Sequence, residues 1–227
     1  MSKEKPRKRS SRQSKEVREE SILKAARQVF EERGYENAKV PEIAEIVGVV
    51  EGTVFHYFGS KRALVLKVME RFYQEITKDL RERITGIQGT RNRLHYIIWH
   101  HLNVINNNAA LCGVILRESR GLNKAFSKDV QRLNRNYTNS LNQVIKEGID
   151  AGEISPETSP LLMRNTIYGS IENALWHLLS DGQKINVDKS AQQLTSLVFQ
   201  GISASPTELN KSEVSLLVHK LNLLLNK

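Results

Sequence analysis

Residues 40–58 read VPEIAEIVGVVEGTVFHYF, and this stretch decides the fold of the chain. Two short apolar patterns with a spacing of three or four residues lie on either side of Gly48, a residue that suits the end of a helix. The apolar side chains that would share one small core are Ile43, Ala44, Val47, Val49, Val54 and Phe58. The spacing predicts two short helices joined by a tight turn, an arrangement that presents its second helix to the major groove of DNA.

The second short helix would carry outward side chains that are able to contact DNA. A hydroxyl or a phenol can donate to phosphate oxygens, whereas a carboxylate or an imidazole can bond to base edges. A glycine among them would permit close approach of the backbone. The outward positions are Glu51, Gly52, Thr53, Phe55, His56 and Tyr57. A chance apolar pattern on two short helices is the alternative when this motif is taken alone.

The rest of the chain shows the same helical periodicity. No stretch alternates β-branched residues with a period of two, so we predict an all-α protein of about nine to ten helices. The first helix should run from Ser14, as N-cap, to Gly34, and a long helix should run from Ser60 to about Gly86. Ser159 and Ser205, each followed by proline, indicate two further helix starts. The remaining helices are expected near 90–107, 109–119, 123–151, 159–180, 188–203 and 207–226.

The positive charge of the chain is concentrated at its beginning. The formal net charge is +9, and residues 1–15 carry seven Lys or Arg side chains against one Glu. Residues 16–67 are nearly neutral, with eight basic and nine acidic side chains. Because a basic segment without apolar periodicity cannot offset its ordering entropy, we expect a disordered arm over 1–15 that binds phosphate. A solubilising tail is the alternative.

The residues of the motif resemble the signature of TetR-type regulators. The pieces that match are Ile43-Ala44, Gly48-Val49, Gly52-Thr53-Val54-Phe55-His56-Tyr57-Phe58 and Lys61-Arg62-Ala63-Leu64, preceded by Ala25-Ala26, Phe30 and Gly34-Tyr35. The resemblance is strong over about 16–66. It implies an N-terminal three-helix helix-turn-helix domain over 16–62, followed by a larger helical ligand-binding and dimerisation domain over 63–227.

The same resemblance implies a homodimer that binds double-stranded, palindromic operator DNA as a repressor and leaves it when a small molecule binds. By position, Thr53, Tyr57 and Lys61 would hold phosphates. The positions that would face bases are Glu51, Gly52, Phe55 and His56. Lys39 and Val50 stand where the family commonly has Ser or Thr, so two helix N-caps are unfilled and Lys39 is expected to contact phosphate instead. Activation, and architectural DNA binding through the basic arm alone, are the alternatives.

A ligand pocket is expected among the middle helices. Aromatic and aliphatic side chains with few ionisable groups favour an apolar effector there, and ordinary core packing is the alternative for each of them. The candidate lining residues are Tyr96, Trp99, Leu102, Ile105, Leu116, Phe126, Tyr137, Tyr168 and Trp176. The layout loosely resembles that of regulators of fatty-acid degradation, which sense acyl-CoA, and this resemblance implies an acyl-type effector.

The helices near 159–180 and 188–203 are the expected dimer surface, because they carry more apolar side chains than one domain readily hides. Gly169, Ser170 and Ala174 would let two helices approach closely. The apolar candidates are Ile167, Ile171, Leu175, Leu178, Leu197, Val198 and Ile202. Core packing within one chain is again the alternative.

Other classes of function find no support in the sequence. No apolar run reaches the roughly 18–20 residues of a membrane-spanning helix, so we expect a cytoplasmic protein without a membrane partner. The one cysteine, Cys112, excludes an internal disulfide and is expected to be a core residue. His95, His100 and His101 lack the spacing of three or four residues that a metal site on one helix needs. No catalytic or cofactor motif is present, so we predict neither an enzyme nor a bound cofactor.

Overall fold

The computed structural model describes residues 8–121 and 123–202, with side chains from Lys15 onward, and these residues form nine α-helices. The predicted all-α class is therefore confirmed. The helices are α1 (Lys8–Asn37), α2 (Val40–Val47), α3 (Glu51–Phe58), α4 (Lys61–Ile84), α5 (Thr90–Asn107), α6 (Ala109–Ser119), α7 (Lys124–Asp150), α8 (Pro160–Asp181) and α9 (Val187–Ile202).

Local side-chain chemistry fixes several helix ends where the sequence predicts them. The Oγ of Ser60 accepts a hydrogen bond from the amide of Ala63 at 3.1 Å and caps α4. The Oγ of Ser159 accepts from the amide of Leu162 at 3.3 Å and caps α8 in the same way. Gly48 has a left-handed backbone, with φ of 71°, and ends α2. These three predicted boundaries are confirmed.

The N-terminal boundary differs from the prediction. Helix α1 begins at Lys8 rather than at Ser14, so residues 8–15 are helical where the sequence predicts a disordered arm. The physical reason is that a formed helix extends cheaply, one hydrogen bond per added residue, through Lys, Arg and Gln, which are good helix formers. Gly34 breaks the helical backbone with φ of 72°, close to the predicted end of the first helix.

Two predictions fall outside the part of the chain that the structure describes. The remainder of the basic arm, residues 1–7, is one of them. The helix expected over 207–226, with its start at Ser205, is the other.

Helices α1 to α3 and the start of α4 enclose a first small core. Its side chains come from all four helices and are at most 2% exposed: Ile22, Ala26, Phe30, Ile43, Ala44, Val54 and Leu64. Helix α2 packs on α1, and α3 packs on α2 and α4. The three-helix helix-turn-helix unit that the sequence predicts is therefore present, with α3 as its outer helix.

Helices α4 to α9 form the larger body. Helix α5 runs through its centre and contacts α4, α6, α7, α8 and α9. The side chains with no more than 1% exposure in this core include Leu80, Leu94, Ile97, Ile98, Leu111, Tyr137, Leu141 and Ile167. Helix α4 belongs to both cores, so it joins the helix-turn-helix unit to the body.

Candidate functional site

Helix α3 turns a mixed polar and aromatic face to solvent. Val54 is 1% exposed and anchors the helix, whereas Phe55 is 40% exposed. An exposed aromatic ring beside polar side chains is suited to apolar contact with a thymine methyl group. The four positions predicted to face bases are all exposed: Glu51, Gly52, Phe55 and His56. Thr53 and Tyr57, predicted to hold phosphates, are half-buried at the edges of this face.

Gly52 lies in open space on this face. A methyl group added at its Cα would meet no atom of the described residues within 4 Å. Packing within the described part of the protein therefore does not require a glycine at this position.

The two short helices begin without side-chain caps, as the sequence predicts. Neither Lys39, before α2, nor Val50, before α3, makes a side-chain bond to the following amides. Unpaired amides at a helix start, with the positive end of the helix dipole, favour an anion. The exposed Lys39 stands beside the start of α2, where it is suited to the predicted phosphate contact.

The ammonium group of Lys61, which was expected to bind phosphate, already has contacts within the protein. Its Nζ donates to the carbonyl oxygen of Glu36 at 3.0 Å and lies 4.8 Å from the ring centroid of Tyr35. In this arrangement Lys61 ties the start of α4 to the segment after α1. Its phosphate contact stays a prediction.

The first turns of α7 contact the helix-turn-helix unit. The Nη2 of Arg62 is 3.5 Å from Oδ2 of Asp129, and the guanidinium lies 5.2 Å from the ring centroid of Phe126. The rings of Phe126 and Tyr35 are 5.6 Å apart between centroids. The sequence analysis included Arg62 in the motif but did not predict this junction, because the residues that Arg62 contacts are distant in sequence.

A cavity of about 520 Å³ lies among helices α4, α5, α6, α7 and α8. Much of its lining is apolar and includes Phe72, Ile76, Val104, Ile105, Ile115 and Leu116. Three arginines also line it: Arg120 directly after α6, Arg135 on α7 and Arg164 on α8. Arg120 and Arg135 are exposed, so the cavity opens to solvent where the positive charge stands. Sequence reasoning missed these arginines because helical periodicity gives no signal for them.

Only part of the predicted pocket lines this cavity. Ile105, Leu116 and Tyr168 do, whereas Tyr96 and Trp99 line a separate cavity of about 330 Å³ beside Asp79. Four other predicted residues do not line the cavity of about 520 Å³, for reasons of burial or position. Leu102 and Tyr137 are buried in the core, Phe126 lies at the junction with the helix-turn-helix unit, and Trp176 is 66% exposed on a surface groove.

A chain of hydrogen bonds crosses the body between these two cavities. Nε2 of His100 is 3.2 Å from Oδ2 of Asp79, and its Nδ1 is 3.0 Å from the hydroxyl of Tyr137. The same hydroxyl is 3.2 Å from Nδ1 of His101. His100 is 3% exposed. Partners from α4 and α7 satisfy its nitrogens, and such distant pairings leave no local signal.

Burial sets the protonation states along this chain. It lowers the pKa of His101 to about 3 and lowers that of His100, although Asp79 opposes the second shift. Arg83, which donates to Asp79, lowers the pKa of that carboxyl. Burial raises the pKa of the Tyr137 phenol. Near neutral pH both imidazoles and the phenol are therefore uncharged, and Asp79 is ionised.

Cys112 is a buried core residue that also contributes to the wall of the cavity of about 520 Å³. Burial raises the pKa of its thiol to about 12, so the sulfur is protonated and unreactive at neutral pH. Among residues 8–121 and 123–202, no group of three or more His, Cys, Asp or Glu side chains is placed to hold a metal ion. No helix within the same ranges is long and apolar enough to cross a membrane.

Comparison with known families agrees with both halves of the molecule. Residues 22–68 match the model of the bacterial regulatory proteins of the tetR family, and residues 67–201 match that of the C-terminal region of YsiA-like proteins. The chain belongs to the tetR family. It is therefore a helix-turn-helix transcriptional regulator.

The relatives of this tetR-family chain include a regulator of fatty acid metabolism and a transcriptional repressor. The fatty acid metabolism regulator protein of Bacillus subtilis is 26% identical over 80% of this chain and 93% of its own. The repressor KstR2 of Rhodococcus jostii is 25% identical over 85% of this chain and 94% of its own. The solved structure of FadR from Bacillus subtilis in complex with stearoyl-CoA has a TM-score of 0.74 and 25% identity, over 81% of this chain and 98% of that one.

The predicted dimer surface of this tetR-family chain needs correction. The apolar stripe that we assigned to a partner mainly packs inside one protomer, because α5, α6 and α7 cover it. Five of the seven predicted residues are no more than 9% exposed and belong to that core: Ile167, Ile171, Leu175, Val198 and Ile202. Leu178 is half-buried, and Leu197 alone is well exposed, at 70%.

Proposed function

We propose that this protein is a transcriptional repressor that binds a palindromic operator as a homodimer and releases it when an acyl-CoA enters the cavity among α4 to α8. The observation that carries the proposal is the composition of that cavity. It combines apolar walls for a hydrocarbon chain with three arginines for the phosphates of coenzyme A. The stearoyl-CoA complex of the Bacillus subtilis relative supports the same ligand class.

The arginines of the cavity are suited to binding phosphate groups. A guanidinium group forms paired hydrogen bonds with phosphate oxygens. Arg120 is paired with Glu172, which also lines the cavity, so a phosphate would compete for a cation that is already held in place. Arg135 has no such ion pair among the described residues, and it is exposed at the opening.

Exposed apolar side chains of α8 and α9 supply a candidate dimer surface in place of the corrected one. The five large ones are between 41% and 70% exposed and are Leu161, Leu162, Trp176, Leu179 and Leu197. Exposed large apolar side chains are a common feature of protein-protein contacts. Gly169 and Ser170, exposed on α8, would still allow close approach of a partner helix.

Helix α7 is the proposed route from the cavity to the DNA-binding helices. Gln131, Asn134 and Arg135 line the cavity, and Asp129, less than two turns earlier, pairs with Arg62 beside α3. A ligand that repositions this part of α7 would act directly on the start of α4. Release requires the ligand to favour one of two states, by about 1–3 kcal/mol in typical allosteric proteins.

Calorimetric titration with palmitoyl-CoA tests the ligand class. We expect saturable binding by the unmodified protein and at least tenfold weaker binding by Arg135→Gln/Arg164→Gln. The matched control is Arg132→Gln, which removes an exposed arginine of α7 that does not line the cavity. Absence of binding, or equal affinity in the double variant, would rule out the proposed ligand or its placement.

In vitro transcription separates repression from activation. Repression predicts that the apoprotein lowers transcription from a promoter that contains its preferred site and that palmitoyl-CoA restores it. A rise in transcription on addition of the apoprotein would instead identify an activator.

A further inference from the structure

The cavity of about 520 Å³ contains a polar position that an unsubstituted hydrocarbon chain would leave unsatisfied. Tyr168 is 8% exposed and lines the cavity, and its hydroxyl has no hydrogen-bond partner among the residues that the structure describes. The ring of His101, which also lines the cavity, packs edge-on against it with 4.9 Å between centroids. Buried hydroxyls nearly always have a partner, so an unpaired one at a cavity wall points to a ligand group.

The hydrogen-bond chain behind this wall has a fixed direction at its outer end. Ionised Asp79 can only accept, so Nε2 of His100 must carry a proton and donate to it. Because His100 is uncharged, its Nδ1 has no proton and must accept. The hydroxyl of Tyr137, which stays protonated, therefore donates to Nδ1 of His100.

The same direction then passes to the cavity. The proton of the Tyr137 hydroxyl is already used in the hydrogen bond to His100, so the hydroxyl oxygen accepts from Nδ1 of His101. His101 is uncharged, so its proton is on Nδ1 and its Nε2 is a bare acceptor. Asp79, on the neighbouring helix α4, thus sets an acceptor in the wall of the cavity.

We propose that His101 and Tyr168 form a binding site for a hydroxyl group on the enclosed part of the effector. One ligand hydroxyl satisfies both residues, since it donates to Nε2 of His101 and accepts from the hydroxyl of Tyr168. The effector is then a hydroxylated acyl thioester rather than a plain one. This inference rests on the proposed function, which supplies the thioester.

Binding of matched ligands tests the inference. The probes are palmitoyl-CoA and a series of hydroxypalmitoyl-CoA isomers that differ in the position of the hydroxyl group. At least one isomer should bind the unmodified protein about tenfold more tightly than palmitoyl-CoA does. Tyr168→Phe should abolish that preference, so that the hydroxylated isomer and palmitoyl-CoA bind with equal affinity.

Tyr96→Phe is the matched control for this substitution. It also removes an unpaired, buried hydroxyl, but Tyr96 lines the separate cavity of about 330 Å³. The control should keep the full preference for the hydroxylated isomer. Comparable thermal unfolding of both variants would exclude a general loss of structure.

The outcomes separate this inference from the proposed function. If palmitoyl-CoA binds but no isomer binds more tightly, the hydroxyl site is wrong and the proposed function stands. The same conclusion follows if the preference survives in Tyr168→Phe. If no thioester binds, both ideas fail together. Tyr168→Phe could instead weaken the binding of palmitoyl-CoA as strongly as that of its hydroxylated isomers. In that case the Tyr168 hydroxyl donates to an amide of the coenzyme A arm, and the hydroxylated effector is ruled out.

Nuclear magnetic resonance provides a readout that is independent of ligand. The nitrogen shifts of His101 should report a neutral ring protonated at Nδ1, the less common form of histidine. Tyr137→Phe removes the acceptor that fixes this form and should shift the ring towards protonation at Nε2, with loss of the preference for the hydroxylated isomer. A ring already protonated at Nε2 in the unmodified protein would overturn the inference.

Discussion

The guanidinium group of Arg62, at the start of α4, lies 3.5 Å from the carboxylate of Asp129 on α7 and joins the DNA-binding helices to the body. Both side chains are partly exposed, at 37% and 42%, so the pair itself contributes little to stability, typically about 0–1 kcal/mol. Its position matters more than its strength. It stands between the recognition helix α3 and the turns of α7 that line the cavity.

Asp129→Asn should weaken communication between the cavity and DNA without unfolding the protein. We expect little change in operator affinity and a reduced release of DNA by palmitoyl-CoA, measured by fluorescence anisotropy of labelled operator. Lys128→Gln is the control, because it removes an exposed charge at the adjacent position. Equal release in both variants and the unmodified protein would show that the ion pair does not take part.

Gly52→Ala should separate stability from function. The new methyl group meets open space and replaces a poor helix former, so the free energy of unfolding should be unchanged or higher by up to about 1 kcal/mol. Operator affinity should fall at least tenfold, because the methyl group would lie between α3 and DNA. Urea unfolding and operator titration measure the two effects. Undiminished affinity would show that this face of α3 does not approach DNA closely.

Deletion of residues 2–13 should flatten the salt dependence of DNA binding. Each phosphate neutralised contributes about −0.9 to the slope of log affinity against log salt, and the segment carries six Lys or Arg side chains. The preferred sequence should stay the same, because α3 is retained. A slope that does not change in the truncated protein would show that the basic arm has no part in binding.

Acid should destabilise the protein through His101. Its pKa is about 3 in the folded protein and about 6.5 when unfolded, so only the unfolded chain binds this proton between those values. The free energy of unfolding should therefore fall by up to about 1.4 kcal/mol per pH unit as the pH drops below 6.5. The stability that depends on a neutral His101 is therefore fully present above pH 6.5 and is lost as the pH falls towards 3.

Urea unfolding of His101→Gln over pH 4 to 7 measures that contribution. The variant should be less stable at pH 7 and should show a shallower decline, whereas the control His56→Gln, which removes an exposed histidine of α3, should follow the unmodified protein. Parallel curves for His101→Gln and the unmodified protein would contradict the assignment.

Much of the fold could be predicted from the sequence because local chemistry determines helices. The apolar spacing of α5 to α8 and the caps Ser60 and Ser159 each act within a few residues, and their boundaries are correct to within about one residue. The start of α1 was wrong by six residues, since extending a formed helix is nearly neutral in free energy and leaves no sequence mark.

The candidate site could be predicted only where a motif is contiguous. The exposed face of α3 follows from a motif of eight consecutive residues. An apolar stripe, in contrast, does not reveal what covers it, so Ile171 was assigned to a partner although it packs in its own core at 1% exposure. The hydrogen-bond chain from Asp79 to His101 joins α4, α5 and α7, and its pairings exist only in three dimensions.

The proposal that this protein is a sequence-specific repressor released by an acyl-CoA is tested most directly by titrating the protein on its preferred operator, selected from random duplexes. We expect tight binding to this operator and an affinity that is lower by orders of magnitude for a shuffled operator. Palmitoyl-CoA or its hydroxylated isomers should release the protein from the operator, whereas coenzyme A alone should not. Binding that ignores the operator sequence, or a complex that persists in saturating thioester, would contradict the proposal.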